Sequence, residues 1–308
     1  MSPQLVDFNA DGINDLVTAT YEGVAFLVPG SKEGFAKPER ILDSKGQTIL
    51  LSMFWNNATE EWDQTDRCLP AKNDRRDHCV SAVAFDWDND GDFDLLLGSY
   101  EGRLYLRRNN GTAKKPQFAL QNEIVSAGGK ELHVQGGLTA PRPVDWNTDG
   151  LIDLVCGSFG GGVVLFLNTG KVGAPEFAAA QTLIPKSGAI TAKNARRNPA
   201  PSDGCYVDVV DYDNDGDLDL IVGGFAEFSP DPAGSRSNRA DRLAQLQTQA
   251  KEIRKQRKAL KKDNAADPVA VKELKKKLSA LKNELNTLQP KTTRSSGVWL
   301  YRQVTAGK

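Results

Sequence analysis

The chain has 308 residues, with 39% hydrophobic and 26% charged residues and a formal net charge of −1. That balance suits a globular protein with a sizeable core and excludes collagen-like or low-complexity disorder. No apolar run reaches the roughly 18 to 20 residues of a membrane-spanning helix. Four cysteines are too few for a small disulfide scaffold and lack zinc-ligand spacing.

A strand-like segment, Gln4 to Phe8, follows Met1 almost at once, with no leader-like stretch before it. The chain reads as starting inside a repeat, which favours a mature or truncated form over a cytosolic protein. Four segments align: VDFNADGINDLV from Val6, FDWDNDGDFDLLLGS from Phe85, VDWNTDGLIDLVCGS from Val144 and VDYDNDGDLDLIVGG from Val210. Their first aspartates, Asp7, Asp86, Asp145 and Asp211, are separated by 79, 59 and 66 residues. In each unit an acidic loop is followed by a short apolar run, a glycine turn and an alternating strand such as Gly102-Arg103-Leu104-Tyr105-Leu106. Gln117 to Leu120 and Glu176 to Phe177 read as further edge strands. Three or four strands per unit at this period predict an all-β protein, a β-propeller of at least four repeats.

The loops share the pattern D-x-[DN]-x-D-G-x-x-D. Side-chain oxygens at positions one, three and five, a carbonyl at seven and a carboxylate at nine form a hard, oxygen-only donor set suited to Ca²⁺. Soft ligands are absent, which disfavours zinc and copper, and Mg²⁺ retains more water. Glycine at position six permits the tight turn. The first predicted site comprises Asp7, Asn9, Asp11, the Ile13 carbonyl and Asp15; the second comprises Asp86, Asp88, Asp90, the Asp92 carbonyl and Asp94. The third comprises Asp145, Asn147, Asp149, the Leu151 carbonyl and Asp153; the fourth comprises Asp211, Asp213, Asp215, the Asp217 carbonyl and Asp219. About one ion per repeat, four in all, is expected. The second and fourth loops carry one more carboxylate and are expected to bind more tightly. Plain acidic turns use the same residue types, but four copies in register argue against that reading. An EF-hand is excluded because position twelve is Thr18, Leu97, Cys156 or Val222, within β-like runs.

The aromatic residues at loop position two, Phe8, Trp87, Trp146 and Tyr212, either pack between blades or form a sugar-stacking platform. Cys68 and Cys79 bracket a polar loop and are placed either to close it as a disulfide or to remain as thiols, whereas Cys156 and Cys205 sit in apolar strands as buried thiols. Asn57-Ala58-Thr59 and Asn110-Gly111-Thr112 match the glycosylation pattern. The only histidines, His78 and His133, pair with no nucleophile motif, and no P-loop or H-E-x-x-H is present.

The loops, followed by G-S-[YF]-x-G-x-[LV]-x-L-x-x-N, resemble the FG-GAP/VCBS repeats and the propeller head of integrin α-subunits. The resemblance covers residues 1–225 and 297–304. It implies a calcium-loaded propeller whose usual role is binding a protein or polysaccharide ligand at the cell surface or outside the cell. Integrin-like propellers have seven blades; four repeats here imply either a missing portion or a smaller ring. Some polysaccharide lyases also use calcium-rich propellers, so a lyase-like enzyme is the alternative.

The fourth repeat is interrupted. Its next strand resumes only at Ser296-Gly297-Val298-Trp299-Leu300-Tyr301, so residues 226–295 are read as an insert, leaving 1–225 and 296–308 to the propeller. In the insert Val271, Leu274, Leu278, Leu281, Leu285 and Leu288 form a heptad-like seam behind an Asp267-Pro268 helix start. Leu243, Leu246, Ala250, Ile253 and Leu260 form an imperfect second seam interrupted by Arg257, and Lys262 to Ala266 reads as the turn. The prediction is an antiparallel helical hairpin. Residues 236–290 carry a net charge of +9, leaving −10 for the rest. The basic arms are either a solvated coiled-coil surface or a contact for an acidic partner. No aromatic interleaving supports nucleic acid.

Overall fold

The structure, a computed structural model, describes residues 3–69, 76–187, 201–228, 236–262, 268–288 and 293–303. Four antiparallel sheets form the four blades of a β-propeller arrangement. Blade one holds Gln4–Val6, Asp15–Ala19, Ala25–Val28 and Glu39–Arg40 in that order across the sheet. Blade two holds Cys79–Phe85, Asp94–Ser99, Leu104–Arg107 and Glu123–Ile124. Blade three holds Ala140–Val144, Asp153–Gly157, Val163–Phe166 and Gln181–Ile184, and blade four holds Asp203–Val210, Asp219–Phe228 and Thr293–Tyr301. Each acidic loop joins the first strand of its blade to the second.

Residues alternate between two buried faces, as strands between blades must. On blade three, Val155 and Leu165 are paired and turn toward blade four, while Leu154 and Phe166 are paired and turn toward blade two. Three apolar clusters result, one at each junction of consecutive blades. Leu96 and Val155 are fully buried in this way. Truncating such a leucine to alanine costs about 2–5 kcal/mol, through lost transfer energy plus the cavity left behind. Aromatic pairs add shape to the junctions: Phe118 stacks on Phe8 at 6.3 Å, and Phe177 meets Trp87 edge-on at 5.9 Å.

The long connection between blades one and two carries the hairpin Met53–Asn56 with Glu61–Gln64. Its cysteines correct one of the two sequence options. Cys68 and Cys79 are both buried free thiols, not a disulfide. The Cys79 thiol donates to the Ser81 carbonyl within the core between blades one and two. The side chain of Cys68 is engaged instead with buried Arg107. Residues 70–75 of that loop lie outside the described residues.

A second compact unit contains two helices, α1 (Arg236–Lys262) and α2 (Pro268–Leu288). They form the helical hairpin, about 40 and 32 Å long at 1.5 Å per residue. Leu246 and Ala250 are buried on α1, and Leu274, Leu278, Leu281 and Leu285 are half-buried along α2, while most lysines stay exposed. Arg242 and Glu284 form an ion pair across the hairpin at 2.7 Å. The turn at 263–267 lies outside the described residues.

Candidate metal centres

The four loops fold alike because their side chains replace the backbone partners that a sharp turn cannot offer. In the second loop the Asp86 carboxylate accepts the N–H groups of Asp90 and Gly91, both at 3.1 Å, and Asp90 accepts that of Asp92 at 3.0 Å. Asp7, Asp145 and Asp211 receive the equivalent pair of N–H groups in their own loops. Backbone curvature follows. Position six is a glycine with φ between 86° and 91° in every loop. Position four is also left-handed, at Ala10, Asn89, Thr148 and Asn214. Asparagine suits that conformation; alanine and threonine are strained there.

Positions one, three and five converge as the spacing predicts. Carboxylate oxygens of Asp86, Asp88 and Asp90 lie within 4.8 Å of one another, and so do those of Asp211, Asp213 and Asp215. In the other two loops Asn9 and Asn147 hold position three and accept the N–H of Asp11 and Asp149 at 2.9 and 3.2 Å. The backbones of Ile13, Asp92, Leu151 and Asp217 occupy position seven of the same loops.

Position nine has a different station. Asp15, Asp94, Asp153 and Asp219 are buried to 1% exposure or less. One oxygen of each accepts the N–H of loop position two: Phe8, Trp87, Trp146 and Tyr212, at 3.0 to 3.1 Å. The other accepts an N–H near the end of the third strand: Gly30, Asn109, Asn168 and Gln303, at 2.7 to 2.9 Å. These carboxylates clamp the loop to the blade beside any contribution to a cation. Burial outweighs those hydrogen bonds at Asp94, whose carboxyl is pushed up to about 6, and raises Asp153 as well.

A feature not visible from the loop pattern divides the sites in two. Arg108 reaches Asp88 at 3.3 Å, and Arg302 reaches Asp213 at 3.3 Å. Both arginines occupy the same register, one residue before Asn109 and Gln303. In the two loops with asparagine at position three, that register holds Pro29 and Leu167. The extra carboxylate therefore comes with an extra cation. A clue lay in the chain, since Arg108 and Arg302 recur only in the repeats with Asp88 and Asp213. The donor set fits a hard divalent cation: Asp86, Asp88, Asp90 and their equivalents would hold it, and the ion would neutralise their mutual repulsion.

Toward the opposite ends of the blades an exposed aromatic recurs: Tyr21, Tyr100 and Phe159 in the turn after the second strand, and Phe225 within the longer second strand of blade four, at 38% to 53% exposure. Tyr21 and Tyr100 join Trp62 and His78 in a cluster with centroid distances of 4.5 to 6.2 Å. Burial lowers the His78 imidazole to about 4. A cavity of about 670 Å³ beside this hairpin is lined by Trp55, Asn56, Asp63, Gln64, Arg40 and Arg67, among others. Of the aromatic residues at loop position two, Phe8 is buried and Trp87 and Trp146 are packed at blade junctions, so these do not form a sugar platform; Tyr212 is 56% exposed.

Blades with an acidic loop between their first two strands define a propeller of repeat type. A family model for the FG-GAP-like repeat matches residues 7–97 and 145–222, more than half of the chain. The chain belongs to the FG-GAP-like repeat family, whose repeats and fold mark a ligand-binding module. No curated protein matches it. Among the described residues no helix is long and apolar enough to cross a membrane.

Proposed function

We propose that this protein is an extracellular calcium-binding propeller that acts as a binding or adhesion module for a protein or polysaccharide ligand, with calcium in a structural role. The observation that carries the metal reading is the convergence of Asp86, Asp88 and Asp90, and of Asp211, Asp213 and Asp215, to within 4.8 Å in loops built on one plan. Each ion that binds only the folded chain stabilises it by about 2.7 kcal/mol at a hundredfold excess over its dissociation constant. Four such sites would contribute on the order of 10 kcal/mol. Support for ligand binding comes from the other end of the blades, where exposed rings and a polar, aromatic-lined cavity leave a surface the core does not use.

Thermal unfolding with excess Ca²⁺ and then with chelator, paired with metal analysis, tests the first part. The expected result is a large calcium-dependent rise in Tm with about four ions per chain; no shift and no metal would refute it. Glycan and extracellular-protein arrays probed with the loaded chain test the second part, with Tyr21→Ala and Trp62→Ala as controls. Signals unaffected by those substitutions would place the ligand elsewhere.

A further inference from the structure

We propose that one face of the helical hairpin, formed by α1 and α2 together, is a docking surface for an anionic lipid bilayer.

The apolar seam sorts the charges of the hairpin onto two faces. Leu246, Ala250 and Ile253 of α1 and Leu274, Leu278 and Leu281 of α2 are buried or half-buried along it. The ion pair of Arg242 with Glu284 marks the flank on one side of the seam. At 3.6 residues per turn, Glu252 and Glu273 fall on that same side, with Lys277. The other side takes Lys251, Arg254 and Lys258 from α1 and Lys272, Lys275 and Lys282 from α2. All six are exposed, and among the described residues that side has no acidic residue.

The stability of the hairpin does not account for this sorting. Lys251, Arg254 and Lys258 follow one another at steps of three and four, and Lys272 and Lys275 at a step of three. Like charges at that spacing destabilise a helix by about as much as opposite charges stabilise it. A hairpin that used its charges for its own pairing would set acids against bases across both flanks, as Arg242 and Glu284 do on one. The all-basic face costs the hairpin stability and calls for negative charge from outside.

The layout of the face selects the partner. Its cations lie in two parallel rows, one on each helix, about 8–10 Å apart. Such a two-dimensional array matches a plane of negative headgroups, whereas a single polymer strand would follow one row. Residues 236–290 contain no Phe, Tyr or Trp, so no ring is present to stack on a base. Five of the six cations are lysines, which act as point charges, whereas arginine forks are favoured for nucleic-acid phosphates. The leucines are taken up by the seam, so the contact stays at the level of the headgroups and is electrostatic. Beside a propeller that binds a cell-surface ligand, such a contact would raise the effective concentration of that ligand. The inference rests on the hairpin's own side chains and is independent of the metal and ligand readings.

Flotation of the full chain with vesicles, in calcium buffer, is the test. The chain is expected to float with vesicles of equal parts phosphatidylcholine and phosphatidylglycerol and not with phosphatidylcholine alone, and added salt should release it. Each lysine near an anionic bilayer contributes roughly fivefold to partitioning, so Lys272→Gln with Lys275→Gln should bind roughly 25-fold more weakly. Lys251→Gln with Lys258→Gln should give the same loss from the other helix. Glutamine is as good a helix former as lysine, so circular dichroism should show unchanged helix content in both. Arg242→Gln with Lys277→Gln removes as much charge from the opposite face and should leave binding little changed. A chain that ignores the anionic vesicles overturns the proposal. So does an equal loss in all three variants, which would mean that net charge and not this face is read. Retention on heparin through Lys272 and Lys275 without vesicle binding also overturns it, since the partner would then be a linear polyanion.

Discussion

The second and fourth loops differ from the first and third in two linked places. Asp88 and Asp213 replace the asparagines at position three, and Arg108 and Arg302 replace Pro29 and Leu167 behind them. Ligand counting alone ranks the aspartate loops as the tighter pair. With the arginines included, the extra carboxylate at position three is offset by one cation in each of these loops, so position three no longer ranks them by itself. The lesson is that a site's charge belongs to the whole blade and not to its nine-residue loop.

What both classes share makes the largest predicted effect. The buried position-nine aspartate holds two backbone N–H groups in every loop. Asp153→Ala strands both, at about 1–3 kcal/mol for each unsatisfied group. Urea unfolding should show a loss of roughly 2–6 kcal/mol, with chelator as well as with calcium. A loss seen only with calcium would mean that position nine serves the ion first. Asp145→Ala and Asp149→Ala, at positions one and five, should by contrast lose most of their effect when chelator is present.

The far end of the blades is predicted to respond to acid and not to metal. His78 is held neutral by burial, with its Nε2 unpartnered and its ring stacked on Tyr100 at 4.7 Å. Its folded value of about 4 lies below the ordinary 6.5. The folded state therefore binds fewer protons than the unfolded one, so the contribution is complete above about pH 6.5 and is lost as pH falls toward 4. By pH 4.5 the loss attributable to this group is about 2–3 kcal/mol. Stability curves of the chain and of His78→Phe, both in chelator, isolate it. The variant should lose less between pH 7 and pH 4.5, and parallel curves would show that the imidazole is hydrated after all.

Repetition made the fold legible. Four copies of one loop, each followed by a period-two apolar strand, leave little architecture other than blades, and the seam from Val271 to Leu288 announces a helix as plainly. The converging aspartates at positions one, three and five were legible for the same reason. Properties that depend on what lies across a junction were not. Whether Cys68 meets Cys79 depends on the path of the blade connection and on buried Arg107, neither of which leaves a local pattern. Trp87 and Tyr212 hold the same place in the repeat, yet Trp87 packs on Phe177 of the next blade while Tyr212 is exposed. The clamp at position nine was hidden too, since a ligand and a backbone acceptor call for the same residue.

The smallest predicted effect decides between the two accounts of the loops. If Arg108 cancels the extra charge of Asp88, then Arg108→Leu should tighten calcium at the second site, because a cation is removed from beside it. Asp88→Asn should weaken it, leaving Arg108 to repel the ion with no carboxylate to offset it. Both side chains are about one-third exposed, so solvent screening limits each change to roughly three- to tenfold in Kd. The double variant removes one carboxylate and one cation together, leaves the net charge of the second site unchanged and should return close to the native affinity. Site-resolved calcium titration of the four proteins forms a double-mutant cycle. Additive changes with no recovery would mean that the arginine and aspartate act independently, and the aspartate loops would regain their place as the tighter pair. Asn147→Asp supplies the reverse test, since it adds a carboxylate in a blade where Leu167 offers no counter-charge. That single change should tighten the third site by a similar factor, and an unchanged affinity there would show that position three is not a ligand position at all.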